Sequence, residues 1–166
     1  YGAINLVDPS ISSVGEMVFE FFEQSHITID KNMAISLYVA IMTDTGRFRF
    51  RSTTRRTMEI AGRLIEIGAD PRDICDKIYY SILPGTLKMT GQVLSEIEFH
   101  EEGKICLLQM PRKALTENRL DFSETDGLTD YSMFGEGVIV GALLKEIDSS
   151  RTKVSLRSRD GIDVSL

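Results

Sequence analysis

The sequence has few of the residues that build disulfide-stapled or zinc-stabilised domains. Its 166 residues include two cysteines, Cys75 and Cys106, and two histidines, His26 and His100. The cysteines lie on unrelated patterns, so we expect both to be small core residues in a reducing compartment. The chain has no Cys-x-x-Cys pair and no His-x-x-x-His pair. The common zinc-binding motifs are therefore excluded.

Long apolar runs and glycine-rich phosphate loops are also missing. The longest apolar runs, such as residues 139–144, are far shorter than the roughly 20 residues that a membrane-spanning helix needs. No basic and apolar leader opens the chain. We therefore expect a cytoplasmic protein with no membrane segment. The chain also lacks the glycine-rich loops with which P-loop and dinucleotide-binding proteins hold phosphate.

Charge is unevenly distributed along the chain. The net charge of −6 argues against a protein that binds bulk polyanions. Residues 47–56 nevertheless hold five arginines and no acid. Guanidinium groups match phosphate oxygens, so this segment could bind phosphate. The alternative is a solvated, arginine-rich turn whose side chains pair with nearby acids.

Helical periodicity dominates the first half of the chain, and strand patterns dominate the second. Four helices are predicted to begin at Ser12 or Ser13, at Thr28 or Asp30, at Thr53 or Thr54, and at Asp70. One more helix is predicted over 86–97. A short strand is predicted over 3–7, and a short strand or extended loop over 48–51. A hairpin over 99–110, short helices over 112–117 and 123–133, and strands over 138–147 and 153–157 follow.

One segment combines features of a catalytic site. It is Ile41-Met42-Thr43-Asp44-Thr45-Gly46-Arg47-Phe48-Arg49-Phe50. The carboxylate of Asp44 is a hard oxygen ligand suited to Mn²⁺ or Mg²⁺. The alternative is that it accepts backbone hydrogen bonds in a turn. One carboxylate cannot by itself hold a catalytic metal pair.

The same segment carries a family resemblance. Residues 38–50, with Ser52-Thr53-Thr54, resemble the fourth motif of the DHH phosphoesterases, and residues 4–9 and 12–16 resemble the segment after that family's Asp-His-His motif. Residues 124–128, 137–140 and 153–159 resemble the DHHA1 substrate domain. Within the family, the chain most resembles the bifunctional oligoribonucleases and 3′-phosphoadenosine-5′-phosphate phosphatases.

The resemblance implies an α/β fold in two domains. Residues 1–81 would form the C-terminal part of a DHH catalytic domain, a parallel sheet with helices. Residues 82–98 would form a helical linker. Residues 99–166 would form a smaller, truncated mixed α/β DHHA1 substrate-binding domain.

The resemblance also implies a site and a chemistry. Asp44 maps onto a catalytic metal ligand, and the cofactor would be two Mn²⁺ ions, with Mg²⁺ as an alternative. Arg47 would hold phosphate near the metals, and Arg157, Ser158 and Arg159 would face the substrate. For Arg157 and Arg159 the alternative is two alternate residues on an exposed strand face. The substrate would be short RNA or a small nucleotide, and family members often form homodimers.

Three functional hypotheses follow. The first is a metal-dependent phosphoesterase that cleaves short oligoribonucleotides and the 3′-phosphate of adenosine bisphosphate. The second is another DHH hydrolase, either a cyclic-dinucleotide phosphodiesterase or a pyrophosphatase-like enzyme; residues 124–159 argue against the pyrophosphatases, whose second domain differs. The third is a catalytically incomplete nucleotide-binding fragment. The family's N-terminal Asp motifs, its Asp-His-His motif and its Gly-rich His motif are missing from residues 1–166. We therefore expect an internal portion of an enzyme that is inactive alone.

Overall fold

The chain folds into two compact units, Tyr1–Ser81 and Ile82–Leu166. A computed structural model describes residues 3, 5–159 and 161–165. The helices of the first unit are α1 (Val14–Gln24), α2 (Lys31–Asp44), α3 (Arg55–Ile67) and α4 (Pro71–Tyr79). The second unit contains α5 (Pro84–Ser95), β1 (Glu98–His100), β2 (Ile105–Met110), α6 (Arg112–Asn118), β3 (Val140–Asp148) and β4 (Arg151–Ser158), with 3₁₀ helices at Phe122–Thr125 and Leu128–Met133. The predicted mixed α/β class is confirmed.

The helices of the first unit begin where short polar side chains can cap them. The side chains of Ser13, Asp30, Thr54 and Asp70 accept hydrogen bonds from backbone N–H groups in the first turns of α1 to α4. Each bond satisfies a donor that the helix itself leaves unpaired. The predicted starts are confirmed, and the structure selects one residue from each predicted pair. Within the described ranges, no helix has the length and apolar character that crossing a membrane requires.

A buried carboxylate joins α1 to α3. Glu16 is 3% exposed. It accepts hydrogen bonds from the hydroxyl of Ser12, from the Ser12 backbone N–H at 3.3 Å, and from the Thr57 hydroxyl at 3.0 Å. The sequence predicts instead that Glu16 closes a capping box with Ser13. The Ser13 half of that box forms, but the Glu16 side chain turns inward, because three donors converge on it.

Helix α2 lies between these two helices and packs closely on α1. A Cβ added to Gly15 would lie 2.9 Å from Cβ of Ala40, so only glycine allows this approach. The core that results is apolar and continuous over all four helices. It is made of Phe19, Ala34, Leu37, Tyr38, Ile41, Met42, Ile60, Ala61, Leu64, Ala69 and Ile74.

Two predictions of extended structure fail in the first unit. Among its described residues there is no strand, so the short strand predicted over 3–7 and the parallel sheet expected there are not present in that part of the chain. Leu6 and Val7 are 63% and 83% exposed, and neither belongs to the sheet that the structure describes. Residues 48–51 form a turn, which favours the loop alternative; Ile4 lies outside the described residues.

The second unit is built on a four-stranded mixed sheet. The strand order is β1-β2-β3-β4, with β2 and β3 parallel and both outer pairs antiparallel. The hairpin predicted over 99–110 is confirmed as β1 and β2. A parallel pair needs a long crossover connection. Here α6 and the two 3₁₀ helices provide it, and the short helix predicted over 123–133 is divided between the two 3₁₀ helices.

One face of the sheet carries the core of the second unit. Helix α5, which the sequence assigns to a linker, is part of this core, because its apolar face packs on the strands. The buried residues are Met89, Val93, Leu108, Met110, Ala114, Leu115, Leu128 and Leu143.

We predict that replacing Glu16 by Ala lowers the free energy of unfolding by about 2–3 kcal/mol, because the buried donors of Ser12 and Thr57 lose a charged acceptor. Urea denaturation followed by circular dichroism measures this. Glu59→Ala is the matched control, since Glu59 makes an exposed pair with Arg55 at 2.7 Å. We expect the control to change the free energy of unfolding by less than about 0.5 kcal/mol. Equal effects of both substitutions would contradict the structural role of Glu16.

The turn between β3 and β4 predicts an acid-sensitive contact. Hydrogen bonds from Arg151 and Ser150 lower the pKa of Asp148 from 3.8 to about 2. The stabilising contact is therefore complete above pH 3.8 and is lost as the pH falls towards 2. We expect an NMR titration of the Asp148 carboxyl carbon to give this low pKa, and Arg151→Gln to raise it. An unchanged pKa in the variant would show that Arg151 is not the main cause.

Candidate functional site

Asp44 is the last residue of α2, and its side chain is exposed. Among the residues that the structure describes, none donates a hydrogen bond or forms an ion pair with its carboxylate. A negative charge in the last turn of a helix is unfavourable, because the carbonyl groups there carry partial negative charge. The same position favours a bound cation. The alternative in which Asp44 accepts the hydrogen bonds of its own turn is not what the described contacts show.

The turn after Asp44 is fixed by the side chain of Thr45, which is fully buried. The Thr45 hydroxyl donates to the carbonyl of Ile41 at 2.7 Å and accepts from the N–H of Phe48 at 3.1 Å. The carbonyl of Thr45 accepts from the N–H groups of Arg49 and Phe50, both at 3.0 Å. One residue thus ends the helix and closes the turn.

Three consecutive residues of this turn have left-handed backbone conformations. The φ angles are 58° at Gly46, 64° at Arg47 and 62° at Phe48. Non-glycine residues in this region carry strain, and such residues cluster at functional sites. A Cβ at Gly46 would lie 2.5 Å from the ring of Phe50, so a larger residue there would have to displace that exposed ring.

Arg47 is held over an aromatic ring from another helix. Its guanidinium carbon lies 4.6 Å from the centre of the Tyr79 ring. Arg49 lies 5.5 Å from the centre of the Phe50 ring. Among the described residues, neither arginine forms an ion pair with a carboxylate. Both guanidinium groups are thus oriented by stacking and keep donors for an anion.

The rest of the arginine-rich segment behaves differently. Arg55 pairs with Glu59, and Arg56 pairs with Glu20 at 3.0 Å and with Glu23 at 2.7 Å. Hydrogen bonds from Arg63 and then Arg56 lower the pKa of Glu23. For Arg55 and Arg56 the predicted alternative of arginines paired with nearby acids is therefore correct. Within the segment, phosphate binding stays open at Arg47 and Arg49.

Arg157, Ser158 and Arg159 lie at the end of β4, in the second unit. Arg157 is opposite Gly141 and donates to the Leu156 carbonyl at 3.1 Å. Ser158 donates to the carbonyl of Ile162 at 2.6 Å. Arg159 donates to the carbonyl of Met133 at 3.4 Å. Both arginines are exposed, and no described carboxylate pairs with either, so the strand end is cationic.

A metal could be bound at Asp44 through one ligand. Its exposed carboxylate at a helix C-terminus has the right donor chemistry for Mn²⁺. In the described part of the chain, however, no three His, Cys, Asp or Glu side chains are grouped so that they could hold a metal ion. Asp44 therefore fits one position of a ligand set, and the described residues do not supply the remainder.

Two features of the site were missed by the sequence reasoning. The first is Tyr79, whose ring stacks with the guanidinium of Arg47. The sequence indicates Tyr79 only as an apolar position of α4. Its place in the last turn of that helix is the signal that could have indicated a role in the site. The buried hydroxyl of Thr45 is the second. A separate cavity of about 760 Å³ near Glu96, Glu146 and Asp148 is lined by none of the predicted site residues.

The chain is similar to several curated proteins. It is 28% identical to the bifunctional oligoribonuclease and PAP phosphatase NrnA of Thermus thermophilus, over 98% of this chain and 48% of that protein. It is 31% identical to the protein of the same name from Bacillus subtilis, over 62% of this chain and 34% of that protein. The chain spans about half or less of the length of these curated relatives. No family model matches it.

A solved structure shares the fold. The crystal structure of an exopolyphosphatase-related protein from Bacteroides fragilis matches with a TM-score of 0.88 and 28% identity, over 95% of this chain and 46% of that one. The resemblance of this chain to the DHH/DHHA1 phosphoesterases, and among them to the bifunctional oligoribonucleases and PAP phosphatases, is thereby confirmed.

Proposed function

We propose that the full-length protein is a manganese-dependent phosphoesterase that hydrolyses short oligoribonucleotides and removes the 3′-phosphate of adenosine bisphosphate. The similarity to the Thermus thermophilus protein extends over 98% of this chain and supports the proposal. The observation that carries it is the Asp44 turn. An exposed carboxylate that no described residue neutralises lies three residues before an arginine held on Tyr79. Carboxylate and guanidinium are the groups that bind a metal and a phosphate.

The residues of the turn have separable roles. When bound, Mn²⁺ lowers the pKa of a coordinated water and offsets charge on the phosphoryl oxygens. Asp44 supplies one oxygen ligand, with Mg²⁺ as an alternative ion. Arg47 orients the phosphate through its fork of N–H donors, and stacking on Tyr79 limits the rotamers it can adopt. Thr45 and Gly46 hold both groups in place through the turn.

We further propose that the residues at the end of β4 bind the substrate. Arg157 and Arg159 offer guanidinium donors to a phosphate or a stacking surface to a base, and the Ser158 hydroxyl adds a polar contact. A site that reads one end of a strand favours short substrates over long RNA. Both arginines are exposed, which leaves them accessible to such a ligand.

The two cysteines bear on the compartment in which the protein works. Cys75 and Cys106 are free thiols, and burial raises the pKa of Cys106. Cys106 is buried and Cys75 is half-buried, and free thiols of this kind fit a reducing compartment, so we place the protein in the cytoplasm. A homodimer stays a prediction from the family resemblance.

We expect Asp44→Asn in the full-length protein to abolish manganese-dependent hydrolysis of a dinucleotide and of adenosine bisphosphate. The free energy of unfolding should stay the same or rise slightly, because the substitution removes a negative charge from a helix C-terminus. Asp76→Asn is the matched control, since Asp76 is exposed in the last turn of α4. Near-normal turnover in the Asp44 variant would remove Asp44 from the site.

Arg47→Gln should lower kcat/KM for both substrates by about ten- to a hundredfold, because a charge-assisted hydrogen bond to phosphate is lost. Arg49→Gln, which changes the same charge two residues away, serves as the comparison and should have a smaller effect. Steady-state kinetics at saturating manganese measure both. If Arg49→Gln costs more than Arg47→Gln, the phosphate contact has been assigned to the wrong arginine.

A further inference from the structure

Two lysines face each other across the ladder between β3 and β4. Lys145 is directly opposite Lys153. Side chains opposite each other on one face have Cβ atoms about 4.5–5.5 Å apart, and like charges in this arrangement are destabilising. Among the described residues, no carboxylate forms an ion pair with either lysine. The ladder therefore brings two lysines together without a described carboxylate at ion-pair distance from either.

Lys145 is the unusual member of the pair, because it is only 6% exposed. Its ammonium group donates to the hydroxyl of Thr125 at 2.9 Å, and that hydroxyl donates to the carbonyl of Phe122 at 2.7 Å. One neutral acceptor is little for a buried ammonium group with three donors. Burial, and then Lys153, lower the pKa of Lys145, while Asp126 opposes the shift. The ammonium group of Lys145 is thus tied to the segment 122–125 by the bond to Thr125.

Lys153 also stands in line with the cationic end of β4. Lys153 and Arg157 are on the same face of the strand, because both are odd-numbered residues in an alternating pattern. Four residues of strand place them about 13 Å apart along β4. In the other direction, Arg151 is paired with Asp148 at 2.7 Å. The cations that lack a described carboxylate partner therefore form a row from Lys153 to Arg159. Arg151, which is paired, lies outside this row.

This row is accessible. Strand β4 is at the edge of the sheet, and both Lys153 and Arg157 are exposed. Arg159 donates to the Met133 carbonyl, and Lys145, opposite Lys153, donates to Thr125. Both ends of the row thus border the same segment, 122–133. An extended anionic chain could lie along it and meet successive positive charges.

We propose that Lys153, with Lys145 beside it on the facing strand, binds a second backbone phosphate of an oligoribonucleotide whose terminal nucleotide is held at Arg157 and Arg159. The identity of the ligand as a short RNA rests on the proposed function. Lys153 is the contact residue, and Lys145 acts through its field. A single nucleotide bound at the Arg157 end does not reach Lys153. The subsite therefore distinguishes an oligonucleotide from adenosine bisphosphate.

The test is binding of a fluorescent penta-adenylate RNA, followed by anisotropy over a series of potassium chloride concentrations with a chelator present. For single strands, each phosphate contact contributes about −0.7 to the slope of log K against log salt concentration. Lys153→Gln should reduce the slope by about 0.7 and weaken binding at low salt by about tenfold. Lys113→Gln removes a lysine that pairs with Glu117 on α6, and it should change neither quantity.

Two further measurements separate the subsite from a general loss of charge or fold. Unlabelled adenosine bisphosphate should compete with the same inhibition constant in the wild type and in Lys153→Gln. Lys145→Met should weaken RNA binding less than Lys153→Gln does. It should also raise the urea midpoint, because the like-charge pair is gone.

The inference is overturned if Lys153→Gln behaves as Lys113→Gln does, if it weakens the nucleotide and the RNA equally, or if the wild type binds no RNA. The proposed function fails on a different result, the absence of manganese-dependent turnover by the full-length protein. Salt-dependent RNA binding that is sensitive to Lys153 would survive that failure.

Discussion

The candidate metal-binding end of α2 depends on one buried hydroxyl group. The Thr45 hydroxyl takes the place of a backbone partner at the helix end, where it donates to Ile41 and accepts from Phe48. These bonds stabilise three successive left-handed residues, a conformation that would otherwise cost of order 1–3 kcal/mol for each non-glycine residue. The consequence is geometric. The chain reverses so sharply after Asp44 that its carboxylate stays exposed while Arg47 is carried onto Tyr79.

In the second unit, the candidate binding residues lie on an edge strand of the sheet. An edge strand leaves a row of backbone groups unpaired and invites association with other strands. Strand β4 carries Lys153 and Arg157 on one face, and such charges disfavour edge-to-edge pairing. The same charges make the edge attractive to a polyanion. The bulge between Glu146 and Asp148 and the turn tied by Arg151 mark the other end of this surface.

Charged side chains that have a partner within the fold differ in role from those that have none among the described residues. Arg55, Arg56, Lys77 and Arg151 each have a carboxylate within ion-pair distance, and such pairs at the surface add little stability. Among the described residues, Asp44 has no cation and Arg47 and Lys153 have no carboxylate within ion-pair distance. The buried charge of Glu16 is different again, because three donors within the fold satisfy it. A charged side chain that has no ion-pair partner among the described residues is available to a ligand.

The sequence by itself determined the helix starts, the β1–β2 hairpin, the α/β class and the turn at Asp44. These depend on residues within a few positions of one another, as in the cap that Thr54 makes with Thr57. Only the tertiary structure decided which arginines are neutralised, since Glu20 is 36 residues from Arg56. It also decided that Leu6 and Val7 lie outside the described sheet, and that Lys145 faces Lys153. Such contacts follow from strand register and helix packing, which bring distant residues together and which no local pattern specifies.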